Sequence, residues 1–493
     1  MFLRPARSIT FIIAVVALFF SVSILESRLK KVSRNKLSII TAPTHEASPP
    51  PPRIVEFWGK WAKVFDKAKP NIGPITITSP ASVAGSDKAL GDREPSPFSI
   101  GISEDDVKSL QQSHNKLVNH PGFNTTNQEV PSLFSGTGIV TVAGGQYFPP
   151  ALVGIRMLRK TGSTLPVHVF LKSKSEYEPE ICEEILPALN AECFVIEDHL
   201  RKDAPFKVDH FQLKVLAILF STFETVLYMD SDCMALRDPA ELIETEPFLS
   251  RGFLSWGDYW VATEDPVFYK IAGLKDFPKH LPARSSESGQ MVISKKKHLD
   301  SLLLTAYYNV FGPKYYYPLL SQGAMGQGDK ETFLAGAVVL GKPYYRVREK
   351  VGTIGYFDSN KQFHGGAMVQ WHAADEYASQ NATEKKKPRP FFLHANVPKM
   401  NVAHMLDENA IYQPDTQKRV RVWGKEESVR SMFGFDVEKM VWNEMREMAC
   451  QLKDTLKDFK GRQNICKRAQ EHYREVFEVK TGGGVKKREK RVF

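Results

Sequence analysis

The sequence predicts an α/β protein with a mostly parallel central sheet flanked by helices, and three observations carry that expectation. Between Gly138 and Asp232 short apolar runs alternate with amphipathic stretches of helix length, the pattern of βαβ units. One run, Val226, Leu227, Tyr228 and Met229, is apolar at consecutive positions, which suits a strand covered on both faces. It ends in Asp230-Ser231-Asp232, so two carboxylates emerge at the carboxyl end of a strand, where open α/β sheets bind ligands. Side chains alternate along a strand, so Asp230 and Asp232 share a side about 6 to 7 Å apart at Cα and can reach one hard cation. Asp-x-Asp alone is also the signature of a turn with solvated carboxylates. Here Asp238, Pro239 and Glu241 follow as N-cap, first-turn proline and third-position acid, which places the pair on a short loop between a buried strand and a helix.

A chain of 493 residues with 42% hydrophobic and 25% charged residues can bury a large core and carry extra parts. Its formal charge of +10 is thin except at the two ends. No aromatic-interleaved basic patch or zinc-finger spacing occurs, so no nucleic-acid partner is expected, whereas a basic cleft for a phosphorylated ligand fits. Cys182, Cys193, Cys233, Cys450 and Cys466 are too few and scattered for a disulfide scaffold. Cys182 with Cys193 and Cys450 with Cys466 are close enough to pair in an oxidising lumen, and buried thiols are the equal alternative.

Taken in order, residues 1–7 form a short basic tail before the apolar run Ile9 to Leu25, the length of a membrane helix. Glu26, Arg28, Lys30 and Lys31 follow it directly, without a small-residue cleavage pattern, so a signal anchor at 8–25 is expected rather than a cleaved peptide. Arg28, Lys30, Lys31, Arg34 and Lys36 outnumber Arg4 and Arg7, and by charge alone the bulk of the chain would be cytosolic. The sequons at Asn124 and Asn381 point the other way, to the lumen. Residues 26–100 read as a stem. Pro49 to Pro52 form a stiff spacer, Ile54, Phe57, Trp58, Trp61 and Phe65 make the stripe of a short helix docking on the main domain, and Pro70 to Pro97 reads as linker.

The folded domain is expected over 101–480. It opens with a capped helix from Ser103 to Val118, then a strand Ile139 to Ala143 with a Gly144-Gly145 turn, where glycines let backbone N–H groups approach a phosphate. A helix Leu152 to Lys160, a strand Val167 to Leu171, a helix around Ile181, a strand Cys193 to Ile196 and a helix Phe211 to Phe220 lead into the Asp-Ser-Asp strand. Lys214 is a lone cation in that last, otherwise apolar helix, which an anionic ligand would explain.

Beyond Asp232, Trp256, Asp258, Tyr259 and Trp260 form a cluster of the kind that stacks on sugar rings or fills a core. Glu287-Ser288-Gly289-Gln290 leads into a strand from Met291 to Ser294. Gly328-Asp329-Lys330-Glu331 opens a helix, and acids there suit the dipole on a surface as well as in a site. Pro390 to Leu393 reads as a strand ending in His394, a candidate third metal ligand, with Lys399 near enough to meet phosphate. Residues from Phe435 to Phe477 read as helical, and 481–493 as a basic tail.

Gly138 to Gly145, Val153 to Ser163, Tyr228 to Asp232, Glu287 to Gln290, Gly328 to Phe333 and His394 to Lys399, in this order, resemble the fungal Golgi α-mannosyltransferases that build and branch mannan. The resemblance covers roughly 135–430 and extends to the layout of tail, anchor and stem. It implies a GT-A fold, Rossmann-related, in a single-pass type II protein of the Golgi membrane with a lumenal active site. It implies transfer of mannose from GDP-mannose, with retention, to a mannose-containing glycan acceptor, and a place in a Golgi mannosyltransferase complex. On the family pattern Asp230, Asp232 and His394 would hold Mn²⁺ on the diphosphate, and Lys214, Gly144, Gly145, Asp230 and Lys399 would surround the nucleotide. Glu287, Gln290, Asp329 and Glu331 match positions near the transferred sugar. Gly365 to Gln370 looks more like the α-1,2 branching members than the α-1,3 members.

A phosphatase using Asp-x-Asp as nucleophile and acid expects the motif on its first strand, with Thr or Val where Met234 stands. A membrane-anchored glycan-binding protein without activity is the alternative of another class, and the retained Asp230, Asp232, His394, Asp329 and Glu331 speak against it.

Overall fold

The computed structural model describes residues 47–84, 86, 91–95, 100–200, 205–380 and 382–478. The expected tail, the anchor at 8–25, Asn381 and the basic tail at 481–493 lie outside the described residues. Among the described residues no helix is long and apolar enough to cross a membrane.

The strands of the two larger sheets are β1 (Thr137–Ala143), β2 (Val167–Leu171), β3 (Ala191–Val195), β4 (Thr225–Met229), β5 (Cys233–Ala235), β6 (Phe253–Val261), β7 (Arg284–Ser294), β8 (Tyr345–Arg346), β9 (Gly352–Phe357), β10 (Phe363–Trp371) and β11 (Pro390–His394). The main helices are α1 (Pro52–Lys67), α2 (Glu104–Val118), α3 (Phe148–Lys160), α4 (Gln212–Phe220), α5 (Lys295–Val310), α6 (Lys330–Val339), α7 (Val437–Gln451) and α8 (Ile465–Tyr473).

A seven-stranded sheet runs in the order β8-β6-β7-β4-β1-β2-β3. Strands β3, β2, β1 and β4 are parallel, as the strand–helix alternation predicts, while β7 lies antiparallel to both β4 and β6. Both faces are covered, which is why the strands read as unbroken apolar runs. Leu227 and Met229 of β4 face one core cluster, with α3 and α7, and Val226 and Tyr228 face the other, with α4 and α5.

The strand boundaries differ from expectation most after Asp232. Where the sequence suggests a loop and then a helix, the chain makes the short strand β5, followed by a single helical turn at Ala240–Ile243. Strand β5 belongs to a second, antiparallel sheet in the order β9-β10-β11-β5. Asp230-Ser231-Asp232 is therefore the joint at which the chain leaves one sheet and enters the other. The strand expected at Met291 starts earlier, at Arg284, and the helix around Ile181 is a wide π turn at Glu180–Ile185. The C-terminal helical stretch is broken into α7 and α8, which a Cys450–Cys466 disulfide ties together. A second disulfide joins Cys182 to Cys193 of β3, and Cys233 is a buried free thiol.

The stem expectation is half realised. The stripe of α1 docks as predicted: Ile54, Phe57, Trp58, Trp61 and Phe65 are buried, and the Tyr307 hydroxyl donates to Ala68 O at 2.8 Å. The described part of the stretch Pro70 to Pro97, read as linker, is instead sewn to the domain. Ile75 N donates to Lys314 O at 2.9 Å, Asp92 bridges to Pro282, and Arg93 is buried. The fold thus begins near Pro52 rather than at residue 101.

Candidate functional site

The β-ladder assembles the site. Register pairs Cys233 of β5 with His394 of β11, and Asp232 O accepts from Ala395 N at 2.9 Å, so the histidine from far along the chain is set beside the Asp-Ser-Asp joint. One ligand atom from each of Asp230, Asp232 and His394 lies within 4.8 Å of the others. His394 Nε2 is 3.2 Å from Asp232 Oδ1, and its Nδ1 is 3.4 Å from Glu287 Oε1 without hydrogen-bond geometry. The close approach requires Gly289, because a Cβ there would sit 2.5 Å from the His394 ring.

The electrostatics follow from this packing. Burial alone would depress the His394 pKa, but the carboxylates of Asp232 and Glu287 outweigh it and raise the imidazolium well above the ordinary range. Burial would likewise raise the acids. Instead His394 and Lys399 hold Asp232 well below the usual carboxylate range, and His394, the Gly289 N–H and Lys214 bring Glu287 down to about 2. Lys399 donates to Asp232 Oδ2 and lies 5.7 Å from the exposed Tyr147 ring. The Tyr147 loop is that of Gly144 and Gly145, whose φ values of 123° and 51° favour glycine. At Gly144 a Cβ would also meet the Glu176 carboxylate at 2.6 Å. This turn follows β1, next to β4 in a parallel pair, so both open on the same edge of the sheet. Its link to the site is Gln146 O, which accepts from Asn401 Nδ2 at 3.0 Å.

Other predicted residues are placed differently. Lys214, expected beside the nucleotide, is a buried strut: its ammonium donates to Ser288 O at 2.8 Å, Ser288 Oγ at 2.9 Å and Asp230 Oδ2 at 3.2 Å, with Asp329 Oδ2 at 3.3 Å. With its donors used inside the protein, it aims Asp230 and Asp329 rather than reaching out to a phosphate. Burial would lower its pKa, yet Asp230, Asp329 and Glu287 hold it above the usual lysine range. Glu331 is also turned inward, accepting from Ser286 N at 2.7 Å and pairing with Arg93 at 3.5 Å. Gln290 is fully buried. Its Oε1 takes a contact from Cys233 Sγ at 3.5 Å and its Nε2 has no partner among the described residues. The aromatic cluster divides: Trp256 is core, donating to Trp371 O at 2.8 Å, Asp258 pairs with Lys330 at 2.8 Å, and Tyr259 and Trp260 stay partly open.

Sequence reasoning missed Tyr228, whose hydroxyl donates to Asp230 Oδ1 at 2.7 Å, and Arg93. The Tyr228 position was legible, since it lies two residues before Asp230 on the same side of the strand. Arg93 gave no local signal.

A mannosyltransferase family model matches residues 136–281 and 272–374. The chain is 32% identical to the α-1,2-mannosyltransferase MNN21 of Candida albicans, over 85% of this chain and 74% of that one. It is 30% identical to the α-1,2-mannosyltransferase MNN5 of Saccharomyces cerevisiae, over 70% of this chain and 72% of that one. It is 36% identical to the α-1,2-mannosyltransferase MNN2 of the same yeast, over 56% of this chain and 52% of that one. Among solved structures, an active-site mutant of LgtC shares 13% identity at a TM-score of 0.29, over 51% of this chain and 80% of that chain, too remote to bear on the site.

Proposed function

This chain belongs to the fungal α-1,2-mannosyltransferase family, and from that premise we propose that it transfers mannose from GDP-mannose, with retention, to mannose residues of protein-linked glycans, forming α-1,2 branches. The observation that carries the proposal is the convergence of Asp230, Asp232 and His394 at the carboxyl end of a parallel strand, with Lys399 on the open side. Two carboxylates and an imidazole suit Mn²⁺, and the Nδ1 side of His394, turned to Glu287 at 3.4 Å, leaves its Nε2 to face Asp232 and an ion. Bound there, the ion would neutralise the diphosphate as it departs.

The chain's own residues account for the rest. Lys399, 42% exposed along its side chain, is free to swing from Asp232 to a phosphate oxygen. Tyr228 and Lys214 fix the Asp230 carboxylate from two sides. Glu287, held ionised beside the cluster, is suited to stabilise positive charge developing at the anomeric carbon. Gly145, with open space where a side chain would stand, leaves room for the nucleotide beside the strand end, while Gly144 packs on Glu176. Both disulfides fit an oxidising compartment, and Asn124 is exposed as a glycosylated residue must be, which supports a lumenal domain on a single-pass type II Golgi protein.

The experiment is incubation of the full chain with GDP-mannose, Mn²⁺ and an array of oligomannosides, with the product linkage read by NMR. New α-1,2 linkages are expected. An α-1,3 product overturns the branching assignment, and absence of transfer overturns the activity.

A further inference from the structure

The four-stranded sheet has an inner and an outer face. Ile354, Ala367, Val369 and Leu393 are buried in the core on the inner one. Alternation and register then put Thr353, Gly355 and Phe357 of β9 and Phe363, Gly365 and Met368 of β10 on the outer face, the face of His394. Met368 lies opposite His394, and from there to Phe363 the strand runs about 17 Å outward.

This outward strip has an unusual surface. At its far end Phe357 and Phe363 lie opposite each other, 65% and 43% exposed, with ring centroids 5.1 Å apart. Next toward the site Gly355 faces Gly365, where the register shifts, and the Phe363 ring leans over both: a Cβ at 355 would lie 2.9 Å from its Cζ and 2.1 Å from His364 O. At its near end the Tyr259 hydroxyl meets Thr353 Oγ1 at 2.9 Å and Gly352 O at 3.2 Å, on the residue following Asp258. The tip is braced. Asp358 Oδ1 accepts from Asn360 N and Gln362 N, both at 2.9 Å, and Ser359 N donates to Asp415 Oδ2 at 2.9 Å. Single exposed apolar residues are ordinary on protein surfaces. An exposed aromatic pair, its ring planes tilted 55° to each other, on a braced hairpin at the end of a strip continuous with the candidate site, marks a binding surface.

No side chain on the strip is charged, which favours a neutral ligand over a phosphorylated or acidic one. Sugar rings present C–H faces that pack on aromatic rings such as Phe357 and Phe363, and hydroxyls that bond polar groups such as those of Thr353 and Tyr259 at the near end. We propose that the outer face of the β9–β10 hairpin binds the residues of an oligomannoside acceptor remote from the reacting one, with Phe357 and Phe363 as the stacking platform. The proposal rests on the mannosyltransferase reading and extends it to an acceptor that is a chain rather than a single sugar.

The test measures transfer by the full chain to mannosides from the biose to the hexaose. In the parent, KM falls as the acceptor lengthens. In Phe357→Ala/Phe363→Ala that gain is lost, and KM for the hexaose rises about tenfold, toward the value for the biose. Phe357→Trp restores the length dependence, which a merely structural role would not. Equal length dependence in parent and double variant overturns the proposal while leaving the activity standing. So does binding of the parent, but not the double variant, to vesicles of neutral phospholipid without any effect on oligomannosides, which assigns the tip to a membrane surface. If the parent transfers nothing, the activity assignment fails separately. Calorimetric titration with the hexaose alone then decides: binding lost in the double variant sustains the strip, and binding that is unchanged or absent overturns it.

Discussion

Two clusters of buried charge lie along β7 and the start of α6, and they are built to opposite ends. In one, Arg93 Nη1 meets Glu264 at 2.7 Å and Nη2 meets Glu331 at 3.5 Å, while its Nε donates to Pro282 O at 2.9 Å and Tyr269 donates to Glu264 at 2.9 Å. Its three charged members are at most 2% exposed along their side chains, with their partners inside the protein. In the other, Asp230 and Lys399 are 28% and 42% exposed, and His394 Nδ1 has only the looser contact with Glu287 Oε1 at 3.4 Å. In the first cluster one guanidinium is shared by two carboxylates and all three groups have their partners inside the protein, so it is a rivet. The second is matched by residues that a ligand can displace, which makes it a site.

The contrast breaks if the two clusters respond alike to charge removal. Asp232→Asn keeps the shape of the open cluster and should lower transfer at least ~10³-fold, or about 4 kcal/mol, with a cooperative unfolding transition retained. Arg93→Met strands two carboxylates in the closed cluster and should cost roughly 3–5 kcal/mol in urea unfolding. An Arg93→Met protein as stable as its parent would erase the distinction between rivet and site.

Acid sharpens the comparison by probing buried groups that have no carboxylate to charge them. Burial depresses His114 to about 4, and His168 and His472 to about 3. Above the unfolded value near 6.5 both states are neutral and the full stability is present. As pH falls through 6.5 toward 3 the unfolded chain takes up protons first, and stability is lost, roughly 3 kcal/mol from His114 alone. The His472 ring lies 4.0 Å from that of Trp442, centroid to centroid, and neither of its nitrogens has a hydrogen-bond partner among the described residues. Its replacement by Phe should therefore flatten the decline of the urea midpoint between pH 6.5 and 4. The smallest effect belongs to Lys399→Ala, which should weaken GDP binding about tenfold without shifting the melting temperature, since this lysine is the open cluster's movable member.

How much of this was legible follows from the range of the signals. The parallel strands and the Asp-Ser-Asp tip were readable because an apolar run is a local pattern, and His394 was readable because it ends one. What could not be read was any pairing decided across the fold. Arg93 sits in a Pro-, Gly- and Ser-rich stretch that locally is a linker, and its partners Glu264 and Glu331 are far along the chain. The motif order puts Glu331 near the transferred sugar, whereas its carboxylate is held by Ser286 and Arg93, because the partners of a buried acid leave no mark on a helix-start pattern. Lys214 was noticed as an oddity but assigned to a phosphate, since the sequence does not show Ser288 and Asp329 closing over it. Strand β5 is three residues long, too short to carry a period, yet it is what brings His394 home.

The central claim is that Asp230, Asp232 and His394 form one cation-dependent diphosphate site, and calorimetric titration of GDP into the full chain with and without Mn²⁺ tests it most directly. The account predicts GDP binding that needs Mn²⁺, is lost in EDTA, and is weakened at least tenfold in His394→Ala. GDP affinity that is the same in EDTA as in Mn²⁺, and the same in His394→Ala as in the parent, would contradict it.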